Sequence, residues 1–229
     1  MQPIRLKLLP RAASATLLAL SQAVAGALPL VLTATAAGPI DPQVSVSGPL
    51  SRGLGRIVSI TSAGNDNGLS AIIVGKDQNG MTTTETIAAL GSSSAVVSVN
   101  YYTSISSITL SGAAATTIEA GVVNTTASAA LATIPLNFYS RIGSQVSVDV
   151  VNTISYTVQM TFDDCLGQSA SSNIFQATPA SPTALTAQST SKYTQLPVGV
   201  CGLAITIPTF TTTGAISVNI VTPSNSNAG

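Results

Sequence analysis

The sequence predicts an all-β protein, with two small units of β-sandwich or barrel type behind an N-terminal arm that is extended or partly helical. Three observations carry this reading. Only 7% of the 229 residues are charged, where ordinary globular chains carry ~25%. The polarity comes instead from Ser, Thr, Asn and Gln, which desolvate at lower cost than ions. Val, Ile and Thr are abundant and long charged helix formers scarce, a bias toward strands. Short apolar runs alternate with Gly, Asn and Asp clusters at regular intervals, as in sandwiches and barrels.

The arm spans residues 1–50. Arg5, Lys7 and Arg11 precede an uncharged run that lasts until Asp41. Small-residue triplets at Ala23-Val24-Ala25 and Ala34-Thr35-Ala36 give this stretch the layout of a secretory signal peptide. The run is also long enough to cross a bilayer, although Gly26, Pro29, Gly38 and Pro39 argue against a spanning helix. The favoured expectation is a retained arm, helical over residues 12–25 and extended beyond Pro29. Such an arm reaches neighbouring subunits, with Leu17, Leu18 and Leu20 as its candidate interface residues. It is expected to serve assembly and not folding.

The first unit covers residues 51–134. Arg56-Ile57-Val58-Ser59-Ile60-Thr61 reads as a strand closed by the turn cluster Gly64-Asn65-Asp66-Asn67-Gly68. Strands over residues 69–74 and 81–88 flank a hairpin loop, Gly75-Lys76-Asp77-Gln78-Asn79-Gly80, which ends in the Asn-Gly pair that hairpins favour. Residues 95–101 and 105–110 supply two more strands, and residues 125–133 a loop or helical turn. The second unit covers residues 135–229 and opens on a linker over residues 135–141. There Val146, Val148 and Val150, and then Tyr156, Val158, Met160 and Phe162, alternate with polar residues, so each strand buries one face. A polar loop over residues 179–191 and strands over residues 203–207 and 215–221 follow, then a frayed tail from Pro223.

Catalytic chemistry is sparse. Without histidine there is no Ser-His-Asp or Cys-His system, and the commonest metal ligand is missing. Gly75 to Gly80 joins strands and lacks the Lys-Ser/Thr of a phosphate loop. Asp163-Asp164 suits a strand-end turn better than an acid/base pair or a calcium site, and Asn65-Asp66-Asn67 suits turn chemistry better than a cation site. Glu85 and Glu119 have no sequence partner, and Tyr101-Tyr102 reads as one core and one surface tyrosine. Asn124-Thr125-Thr126 fits the glycosylation pattern. Cys165 and Cys201 each read as small apolar residues, with a single bridge as the alternative in an oxidising compartment. Eight basic and eight acidic residues cancel, so no net field draws the chain to nucleic acid or an acidic membrane. A chain so poor in charge suits a protein whose working state is already an assembly. No enzyme activity, cofactor, metal or catalytic residue is expected.

The segment from Arg56 to Gly68 resembles one that recurs in structural proteins of tailed bacteriophages. There it precedes an apolar strand, a Gly-x-Asp-x-x-Gly loop and a Thr-rich strand ending in Thr-Glu-Thr. The counterparts here are residues 69–74, Gly75-Lys76-Asp77-Gln78-Asn79-Gly80 and Thr82-Thr83-Thr84-Glu85-Thr86-Ile87. Residues 101–111 look like the next piece of that series. Ile154-Ser155-Tyr156-Thr157-Val158-Gln159-Met160-Thr161-Phe162-Asp163-Asp164 is similar to its Tyr-Thr-Val-x-x-Thr-hydrophobic-Asp-Asp element. The similarity covers residues 54–222; the stretch Ala88-Ala89-Leu90-Gly91-Ser92-Ser93-Ser94 and Cys165 depart from the pattern. It implies a virion protein of the capsid decoration or cement type that binds the major capsid protein and self-associates. A tail or neck component is the alternative within virions. A secreted or cell-surface β-sandwich module with a cleaved leader is the alternative of another class.

Overall fold

The computed structural model describes residues 4–41, 44–47, 54–91, 94–123, 129–131, 133–136, 143–163, 175–180, 184–211 and 213–221. It is nearly all β, with several antiparallel sheets and no closed barrel. Its one helix among the described residues is the single turn Ala34–Ala37 (α1).

Two apolar cores organise the chain, and one nine-stranded sheet runs through both. Its strands are β2 (Ser14–Ala23), β4 (Gly55–Ser62), β7 (Ala95–Tyr102), β9 (Thr117–Val122), β10 (Ala129–Ala130), β11 (Ile134–Pro135), β13 (Thr157–Thr161), β14 (Gln176–Ala177) and β16 (Gly202–Ile207). They follow the order β14–β13–β16–β10–β4–β9–β2, with β11 beside β16 and β7 beside β4. Over the half built from β7, β4, β9 and β2 lies a three-stranded sheet of Thr82–Ile87 (β6), Ala71–Lys76 (β5) and Ser104–Leu110 (β8), in that order. Val58, Ile60, Ile118 and Ala120 from one layer meet Ile73, Ile105 and Ile108 from the other, all at 2% exposure or less. Over the other half lies a five-stranded sheet. Its order is Lys192–Gln195 (β15), Gln145–Val151 (β12), Ala215–Val221 (β17), Ile4–Leu8 (β1) and Val44–Ser47 (β3). There Val146, Val148, Ile216, Val218 and Ile220 pack against Val158, Leu203, Ile205 and Ile207.

The N-terminal segment departs from expectation. Residues 12–25 are not helical, because β2 occupies most of them and pairs with β9. Leu and Ala favour a helix in isolation, but that preference is weak and packing overrides it. The register of β2 slips between Ser14 and Ala19 and again between Ala19 and Gln22, so its buried positions never alternate. That is why no period of two is visible in the sequence. Nor is the segment an appendage. β1 lies between β17 and β3, in continuous register with β17 from Ile4↔Ile220 to Leu8↔Ile216. Leu6 and Leu8 belong to the second core, whereas Leu18, Val24 and Leu30 belong to the first.

The hairpin between β5 and β6 is built as the sequence predicts. Asp77 accepts the amides of Asn79 and Met81 on Oδ1, both at 2.9 Å, and Gly80 sits at φ +81°. A left-handed position so close to the turn favours glycine. Asn79 carries the loop further, its Oδ1 accepting the Thr133 amide at 2.9 Å.

Candidate functional site

The seam between the two sandwiches holds the strongest electrostatic feature. Arg56 opens β4 beside β10, where Ala129 pairs with both Arg56 and Ile207 and so bridges the halves of the long sheet. Its side chain is fully buried, and its Nη1 donates to Asp41 Oδ2 at 2.7 Å and to the Arg11 carbonyl at 2.7 Å. Nη2 donates to the Val123 carbonyl at 2.6 Å, and the guanidinium lies 5.0 Å from the centroid of the Phe210 ring. Asp41, 1% exposed, also accepts the Arg11 amide on both oxygens at 2.8 Å. Burial pushes the Asp41 carboxyl above the usual carboxylate range, and the Arg56 charge offsets only part of that shift. Burial likewise lowers Arg56, against the pull of Asp41. This pair fastens the crossing from β1 to β2 onto β4. It is a clamp, with both charged side chains buried. Sequence reasoning misses it, since nothing local marks Asp41 and Arg56 as partners.

Other acidic residues tie turns and neighbouring strands. Asp66 accepts Ser62 Oγ at 2.5 Å and the Ala115 amide at 2.7 Å, and these bonds hold its carboxyl below the usual range. Its oxygens therefore knit the turn after β4 to the loop before β9. Glu85, in β6, accepts the amides of Val99 and Asn100 at 2.6 and 3.0 Å. There β7 bulges away from β4, with the register jumping from Ile57↔Tyr101 to Ser59↔Val97. Asp163 closes a local turn with Thr161, whereas Asp164, Cys165 and the Asn124-Thr125-Thr126 pattern lie outside the described residues. Cys201 is half-buried, with Sγ 3.2 Å from the Phe162 carbonyl. Tyr102 is fully buried and Tyr101 half-buried, and desolvation raises both phenols. Among the described residues no three His, Cys, Asp or Glu side chains converge as metal ligands, and no helix is long and apolar enough to cross a membrane.

The three candidate interface leucines separate. Leu18 is fully buried and Leu17 half-buried against the first core, so Leu18 is a core residue and not a contact for a partner. Leu20 is 64% exposed. Gln22 joins it to Val31, donating to both carbonyls at 3.1 Å and accepting the Val31 amide at 2.9 Å. Val31 is 77% and Leu28 54% exposed, residues that sequence reading does not single out. A shallow cleft of about 440 Å³ near the hairpin is lined by Pro39, Lys76, Asn79, Met81 and Thr103 among others, and carries a single charged side chain. Compared with known proteins, the chain matches no family model, no curated sequence and no solved structure.

Proposed function

We propose that this chain is a non-enzymatic virion structural protein of a tailed phage, a decoration or cement protein that binds the major capsid protein. The observation that carries the reading is the surface. Thirteen large apolar side chains are substantially exposed among the described residues, in a chain with only eight basic and eight acidic groups. Such a surface invites association, and a working state within an assembly accounts for it. Leu20, Leu28 and Val31 supply the apolar part of the contact, and the Thr and Ser rich outer face of β6 and β8 the neutral part. Many weak contacts of this kind, made to several coat subunits at once, gain strength from avidity.

The rival in which residues up to Ala25 or Ala36 are cleaved has a physical obstacle. Cleavage would take β1 from between β17 and β3 and remove Leu6, Leu8 and Leu18 from the two cores.

The test is a particle lacking this protein. Heads should still form, but should release genome at lower temperature or lower external salt, because a ligand bound to the expanded shell stabilises it. Copy number separates the rivals: hundreds per particle fit a decorator, whereas about a dozen would overturn the cement reading in favour of a tail or neck ring.

A further inference from the structure

The sheet edges differ in how they are guarded, and among the described residues one is left open. An exposed edge strand offers unpaired N–H and C=O groups to another chain, so proteins usually shorten, bulge, charge or cover it. The outer edge of β2 is covered by its own chain, with Leu18 O accepting the Thr33 amide and Leu17 O accepting Thr33 Oγ1. The outer edge of β8 is covered by residues 28–30, which exchange backbone bonds with Ile108 and Leu110. β7 is bulged, β14 has two residues, β3 four, and β15 begins at Lys192.

Among the described residues nothing of this kind guards β6 except Glu85. It pairs with β5 over six residues without a slip, from Ala71↔Ile87 to Lys76↔Thr82. Asp77 donates its amide to the Met81 carbonyl at 2.8 Å, and the Lys76 carbonyl turns the other way, toward the Thr103 amide at 2.8 Å. Bonded and non-bonded positions alternate along an antiparallel pair. The amides and carbonyls of Thr82, Thr84 and Thr86 therefore point away from β5, and all three residues are exposed. The strand carries no Lys and no Pro, and the charge of Glu85 is already engaged by the Val99 and Asn100 amides.

We propose that β6 pairs with β6 of a second copy of this chain across a two-fold axis at Thr84, joining two three-stranded sheets into one of six strands. In this register Thr84 meets Thr84 and Thr82 meets Thr86, each pair exchanging both its N–H···O=C bonds. No charge meets its like. Lys76, beside Thr82, lies across from Ile72 of the second copy, and Glu85 lies across from Thr83. The other occupants of such an edge, an extended segment of a coat protein or none, are distinguished by the test.

The test is sedimentation of the full chain over a concentration series. The wild type should show a dimer contact. Thr84→Lys sets two ammonium groups opposite each other and should weaken that contact roughly tenfold or more. Thr84→Pro removes only an outward amide, which an edge strand tolerates, and should weaken it as well. Thr84→Val keeps the backbone groups and should leave it unchanged. Far-UV spectra and unfolding midpoints of all three should match the wild type. A wild type that stays monomeric at every concentration, or Lys and Pro variants that keep the wild-type mass, overturns the pairing. A monomer that still decorates heads would overturn it and leave the capsid reading standing, so the two fail separately.

Discussion

Removing residues 1–13 deletes β1 and should unfold the second sandwich, contrary to the expectation of an arm that serves assembly alone. The magnitude follows from the packing. Leu6 and Leu8 are 2% and 0% exposed, and burying each is worth about 1.5–3 kcal/mol. β1 also bonds along five register pairs with β17 and along part of β3, at about 0.5–1.5 kcal/mol net per hydrogen bond. Its loss bares the β17 edge and uncovers the core side chains of that strand, Ile216, Val218 and Ile220. The combined loss approaches the whole stability of a typical domain, about 5–15 kcal/mol. The assay is urea unfolding followed by far-UV circular dichroism, with the full chain as reference. The shortened chain should lose its cooperative transition or show a sharply lower midpoint, and a peptide of residues 3–11 added in excess should restore part of it. A shortened chain with the reference midpoint would refute the reasoning and return β1 to the status of an appendage.

Four further outcomes follow from the same geometry. Asp41→Ala leaves the Arg56 guanidinium buried without its counter-charge and should cost about 3–5 kcal/mol in chemical denaturation, whereas replacing both by apolar residues of similar size should cost far less. Gly121→Val should fold poorly, because even a Cβ at Gly121 would collide with the Ser14 carbonyl where β2 crosses β9, and thermal melting would register the clash. Asp66 is held below its unfolded value, so its contribution is present above the unfolded value and lost as pH falls through the folded one; Ser62→Ala, which removes the largest cause, should flatten the acid limb of the stability curve. Tyr156 is pushed up to about 12 by burial, so its contribution is full below pH ~10 and is lost as pH climbs toward the folded value, an order that absorbance at 295 nm can follow beside the unfolding signal.

Much of the fold is legible because most strands obey a local rule. The strands around Ile57, Ile73, Ile108, Val148, Val158, Ile205 and Val218 all lie where apolar runs or alternation put them. Turn chemistry at Asn65, Asp77 and Gly80 is equally readable, since Asx turns and a left-handed glycine depend on adjacent residues. What escapes is set at long range. β2 looks helical by composition and becomes a strand only because β9 receives it. Strand β9 itself escapes notice, since Glu119 interrupts its apolar pattern. β15 follows directly on an expected loop and owes its form to pairing with β12. The Asp41–Arg56 clamp spans 15 residues, and the Arg56–Val123 bond 67, separations at which sequence offers no cue. Of the three leucines chosen for an interface, only Leu20 faces outward, because slipped pairing, not helical periodicity, decides which side chains of β2 are buried.

The pairing of the first strand with the last has a consequence for how the chain is made. Ile4 waits for Ile220, 216 positions later, and at synthesis rates of about 5–20 residues per second that wait is roughly ten to forty seconds. Through that interval Ile4, Leu6 and Leu8 of β1 lack β17, while β2 and β4 can already meet β9. The first sandwich can therefore close before β17 is made, whereas the second closes only once β17 has emerged. A nascent chain with an unattached strand is open to capture by a neighbour at the same stage, and copies translated side by side on one message could exchange β1. Growth conditions that slow synthesis between β9 and β17 should then raise the share of swapped or aggregated product, and a chaperone that shields residues 4–8 during synthesis should lower it.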